Sequence, residues 1–137
     1  MLARAAMLAS MLSVHLQQLS GRLRPGANGT ADVTKLMGLL RPLIQLMYDL
    51  PGFASGTGDT NDVEADSGKV LDLLRMCPLR SLPTDLLNAP LRQVLRDMAQ
   101  LIEAQADMLR QASRPPLGNE VRAWEQMRQV GALLADA

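Results

Sequence analysis

The sequence predicts an all-α fold: an irregular four- to five-helix bundle, mostly antiparallel, with one long acidic loop. Three observations predict it. Leu, Met, Ala and Val recur at intervals of three and four residues over most of the chain, which lines them up on single helix faces. The apolar share is 47 per cent but aromatics make up only 2 per cent, a composition suited to helix packing and poor for strands, which favour aromatic and β-branched residues. The breaks between periodic stretches are Pro- and Gly-rich and short, as expected where neighbouring helices reverse direction.

The first helix is expected over residues 2–24, with Ala5, Leu8, Leu12, Leu16, Leu19 and Leu23 on one side and Pro25-Gly26 ending it. No Asp or Glu precedes Asp32. An acid-free amphipathic N-terminus fits a core helix, and equally a targeting or membrane-surface segment. Pro25 to Thr30 reads as a turn. The second helix runs from about Ala31 to Leu50 on Val33, Leu36, Met37, Leu40, Leu43, Ile44 and Met47, with Pro42 in its middle either kinking or splitting it.

Residues 51–68 hold four of the ten glycines and show no helical period, which predicts an exposed acidic loop. Asp59, Asn61, Asp62, Glu64 and Asp66 suggest calcium, but Val63 falls where the third ligand is needed and no closing glutamate follows. A solvated linker is the expectation. A short helix spans Ser67 to Met76, and Pro78, Pro83 and Pro90 punctuate a bent connector with one turn at Thr84 to Leu87.

The clearest helix is Asn88 to Ser113. Leu91, Val94, Leu95, Met98, Leu101, Ile102, Met108 and Leu109 form its stripe, Asn88 is placed to cap it, and Pro115-Pro116 stops it. At 1.5 Å per residue such a helix is roughly 36 Å long, so it needs partners of similar length. The last helix is expected from Asn119 to about Leu134, facing inward with Val121, Trp124, Met127, Val130 and Leu134.

All 137 residues are expected to form a single domain. Formal charge is zero overall but uneven: residues 1–50 carry +3, 51–68 carry −4 and 69–137 carry +1. The absence of a basic excess argues against nucleic acid as a partner. One cysteine, Cys77, excludes an internal disulfide framework, and no run of ~18 apolar residues offers a membrane span. A soluble cytoplasmic protein is expected, or a secreted or targeted one without disulfides.

Candidate chemistry is sparse. His15 is the sole histidine, so neither a His-pair metal site nor a serine triad is available. A lone histidine on a small helical bundle resembles histidine phosphotransfer domains, which implies an exposed imidazole carrying a phosphoryl group. That family places a lysine and then a glycine just after the histidine, where this chain has Gln18 and Leu19. Cys77 has no imidazole in its own helix to activate it, and the pairs Glu103 with Asp107 and Glu120 with Glu125 lie on polar helix faces.

No catalytic, cofactor-binding or metal site is expected. The nine methionines point instead to an adaptable apolar groove that takes helices, or to filler in a core short of aromatics. The expected function is a non-catalytic protein-interaction module whose partner is a helical protein, with a homodimer or a membrane surface as further occupants. Its candidate contact residues are Trp124, Met127, Met98, Met108, Arg75 and Arg80.

Overall fold

A computed structural model describes residues 2–22, 30–55, 60–110 and 118–137. Five α-helices account for most of them: α1 (Leu2–Ser20), α2 (Thr30–Ser55), α3 (Thr60–Met76), α4 (Ala89–Arg110) and α5 (Gly118–Ala135), with a 3-10 turn at Leu79–Ser81 between α3 and α4. The principal packings close a ring in the order α1, α2, α3, α5, α4 and back to α1, and α2 also meets α4 across its middle. One apolar cluster includes residues from every helix.

Side-chain contacts set the helix directions. The α-carbon of Gly131 on α5 faces Ala99 and Glu103 of α4, while Arg96 Nε donates to the Ala137 carbonyl at 2.8 Å, so α4 and α5 are antiparallel. Along α3 and α5 the contacts climb together: Arg122 to Glu64 at 3.2 Å, Ser67 to Gln126 at 2.9 Å, Arg75 to Gln129 at 3.0 Å. That pair is parallel. It can be so because α3 and α5 are not consecutive, and α4 returns the chain between them.

The largest departure from the sequence reading is the acidic loop. Residues 51–55 extend α2 and residues 60–68 belong to α3, so the expected loop of 51–68 is mostly helix, and its 56–59 lie outside the described residues. Glycine and proline misled here. Val63, Val70, Leu71 and Leu74 give α3 a buried face that starts well before Ser67, and Asp62 sits in the first turn, where the dipole favours a negative charge. The solvated linker expected there is thereby replaced by helix over 51–55 and 60–68. The turn expected at Pro25 and the stop at Pro115-Pro116 also lie outside the described residues.

Pro42 neither ends nor divides α2, which continues through it for 26 residues. The proline is buried, and Leu36, Leu39, Leu40, Leu43, Leu46, Met47 and Leu50 around it are at most 1 % exposed. At ~25 cal/mol per Å² of apolar surface, burying one leucine side chain contributes about 2 kcal/mol. Several such residues outweigh the ~3 kcal/mol that a helix-interior proline costs.

The start of α4 is as its sequence implies. Asn88 Oδ1 accepts from the Leu91 amide at 3.0 Å, and Arg92 Nε closes the preceding carbonyl of Leu87 at 2.7 Å. Asn88→Ala is expected to lower unfolding free energy by about 1 kcal/mol, read as a fall in the urea midpoint at constant slope; an unchanged midpoint would deny the cap any role.

Candidate interaction surfaces

The six residues expected to meet a partner separate into four groups. Met98 and Met127 are fully buried within the apolar cluster, because both lie on the same helix faces as the leucines and valines that form it. They have no surface to offer in the folded chain. The Met108 side chain lies outside the described residues. Trp124 is half-buried against the core and carries the Arg128 guanidinium 5.3 Å from its ring centroid, one turn along α5.

Arg75 and Arg80 are brought together. They edge a hollow of 210 Å³ floored by Leu74, Leu79 and Leu133, with Pro78 on its rim. Both cations already have partners: Arg75 donates to Gln129 Oε1 at 3.0 Å, and Arg80 lies 3.8 Å from Asp136 across the opening. A second hollow of 370 Å³ lies between α4 and α5, bordered by Glu103, Asp107, Arg128, Gln129 and Ala132. Its two carboxylates and one guanidinium leave it with a net negative charge.

His15 opens into a hollow of 100 Å³ shared with Gln18, Arg22, Leu86, Asn88 and Leu91, where α1 meets the start of α4. Burial pulls its pKa down and favours the neutral imidazole. Beside it Arg22 is occupied by Asp85 at 3.2 Å. The imidazole is thus a half-buried group on the edge of the core stripe, in line with its helical angle. Among the described residues no three His, Cys, Asp or Glu side chains gather to hold a metal ion, and Cys77 is free and half-buried.

Two features escaped the sequence reading. The first is on α1. Met7 is 52 % exposed, Met11 41 % and Val14 52 %, and spacings of four and three put them on one face. Arg4 precedes them by one turn, Gln18 follows by one turn, and α1 carries no carboxylate anywhere. The opposite side of the helix holds Ala5, Leu8, Ala9, Leu12 and Leu19 in the core. The helix is therefore apolar on two sides, more than the bundle uses. The signal was available, since the angle that gathers the leucines leaves Met7, Met11 and Val14 together. Tyr48, Met76 and Val121 are exposed singly on other helices, which is ordinary for a protein surface.

The second feature joins α2 to α3. The pKa of Asp66 is pushed up to about 7, first by burial and then by the neighbouring Asp49 and Asp62 carboxyls, against a smaller opposing pull from Lys69. Gln45 Nε2 donates to Asp49 Oδ1 at 3.2 Å. Asp49 and Asp66 are far apart in sequence and meet only because α2 and α3 form a hairpin.

No helix among the described residues is long and apolar enough to cross a membrane. No protein-family model matches the chain, and no curated protein or solved structure matches it.

Proposed function

We propose that the chain is a helical protein-interaction module, without catalysis of its own, whose contact surface is the outer face of α1. The observation that carries this reading is the exposed stripe of Met7, Met11 and Val14. Methionine is unbranched and polarisable, so such a stripe can repack against differently shaped apolar partners. The fitting partner is an amphipathic helix laid along α1 with apolar residues at matching intervals. An acid-free face beginning at Arg4 favours a partner with carboxylates flanking its apolar stripe.

Glutamate at both methionines tests this. In Met7→Glu/Met11→Glu the fold is expected to persist, because both positions are exposed and glutamate forms helix as well as methionine does. Affinity for the protein that cross-links to α1 in the native cell should fall by at least about tenfold, the scale of a lost contact hot spot. Unchanged cross-linking would remove α1 as the contact surface.

One observation favours a second reading. The lack of any carboxylate on α1 also suits docking on an anionic lipid surface. Flotation with phosphatidylserine vesicles at low salt separates the two: the lipid reading requires the wild-type chain to rise with the vesicles and the double variant to stay behind.

A further inference from the structure

The exposed stripe of α1 leads into a polar hollow. One turn beyond Met11 stands His15, and one turn beyond Val14 stands Gln18. Both line the 100 Å³ hollow in which α1 meets the start of α4. Arg22 and Asn88 border the same space, and the buried Leu86 and Leu91 floor it. Stripe and hollow therefore form one continuous surface, apolar along its length and polar at the Gln18 end.

The hollow holds more donors than the protein uses. Asn88 Oδ1 is spent on the Leu91 amide at 3.0 Å, which leaves the two hydrogens on its Nδ2. Among the described residues neither these, nor the Gln18 amide, nor the His15 imidazole has a protein acceptor. Burial favours the neutral imidazole, which keeps one N–H to donate. Arg22 is answered at 3.2 Å by Asp85, whose side chain is 74 % exposed. Such a pair contributes little in water, so the guanidinium is free to turn to a better-placed acceptor. What this set lacks is a group that only accepts, and an ionised carboxylate is one. None comes from α1, which has no Asp or Glu.

We infer that this hollow is the polar socket of the α1 contact surface and receives a glutamate of the partner helix. The methylenes of that glutamate lie on Leu86 and Leu91, and its carboxylate accepts from Gln18, Asn88 and Arg22. The socket presupposes α1 as the contact face and adds a register to it. Methionines alone accept a partner in several alignments. A charge-assisted bond at one fixed place selects among them: the partner's apolar residues cover Met7, Met11 and Val14, and its carboxylate sits one turn past them.

Two synthetic helical peptides, read by fluorescence anisotropy with the full chain, test the socket. Both carry leucines at the spacing of Met7, Met11 and Val14. At the place matching Gln18 one has glutamate and the other glutamine, and each is made in both sequence directions, since a helix can run either way along α1. The wild-type chain should bind the glutamate peptide about tenfold more tightly, the scale of a hydrogen bond to a charged group. In Gln18→Glu, an exposed position, a carboxylate enters the socket and the preference should vanish. In Asp85→Asn, which releases Arg22, it should grow. Equal wild-type affinities would overturn the socket and leave α1 as the contact face. A glutamate preference untouched by Gln18→Glu would overturn it too, because the carboxylate would then be read elsewhere, as by Arg4. If neither peptide binds the wild-type chain, the α1 reading falls and the socket with it. Vesicle flotation lost in Gln18→Glu, with the two peptides bound alike, would assign the donors to a lipid headgroup and overturn the glutamate.

Discussion

Met98→Ala is expected to destabilise the fold by about 2–5 kcal/mol, the range for emptying a fully buried methionine-sized site. Met98 has no exposed surface and shares the inner face of α4 with Leu91, Val94, Leu95, Leu101 and Ile102, all buried. Truncation removes most of a long side chain from a place where the surrounding helices are held by their own packing and relax only in part. The same substitution at Met7, Met11 or Met76, all exposed, should change stability by no more than about 0.5 kcal/mol. Urea unfolding reads both effects as midpoint shifts at constant slope. The contrast is the informative quantity: equal, small effects at Met98 and Met76 would mean that the inner face of α4 is not packed as described. A large loss at Met98 with none at Met11 would divide the methionines into those that fill the core and those free to meet a partner.

How much of this was legible in the sequence depends on the kind of information each feature uses. The α4 stripe from Leu91 to Ile102, its Asn88 cap and the turn after Pro83 are local. Each is written within one or two helical turns, and the structure has them where the residues imply. Long-range information is different. The helicity of 60–68 is opposed by Gly68 and the acidic composition, and rests on burial of Val63 and on the seating of Ser67. The Ser67 hydroxyl lies 2.6 Å from the Val63 carbonyl and 2.9 Å from Gln126 of α5. A partner helix supplied that stabilisation, and one segment read alone could not reveal it. Pro42 is the same case, since seven nearly inaccessible neighbours override a local preference.

The surfaces divide along similar lines. The α1 stripe was readable from helical angles alone. The meeting of Asp49 with Asp66 was not, because it requires knowing that α2 turns directly into α3. Placing Arg75 beside Arg80 was a matter of proximity in the chain, whereas the apolar floor between them needs Leu133 from α5. Methionine illustrates the general difficulty. Its type is compatible with core and with surface alike, so its role is decided by position on a helix and by which neighbours cover it.

The seam between α4 and α5 carries the second large expectation, Gly131→Leu. Gly131 is buried, and a β-carbon there would lie 3.1 Å from Glu103 Cγ and 3.5 Å from the Ala99 carbonyl oxygen. The absent side chain lets α5 approach α4 closely, with Ala99 as the small residue opposite. Gly131→Ala sets two effects against each other. Helix propensity improves by about 1 kcal/mol, while Glu103, whose side chain is exposed, must shift by a few tenths of an ångström. Their near balance predicts a net change within about 1 kcal/mol of zero. Leucine gains similar propensity but brings three more carbons into a place bounded by backbone, which cannot rotate away. The helices must separate, and overpacking of this kind costs about 1–3 kcal/mol. Trp124, the only tryptophan and itself on α5, reports the displacement: its emission should shift in the folded Leu variant and not in the Ala variant. If leucine were accepted as readily as alanine, with unchanged emission, the close approach of α4 and α5 at this point would have to be given up.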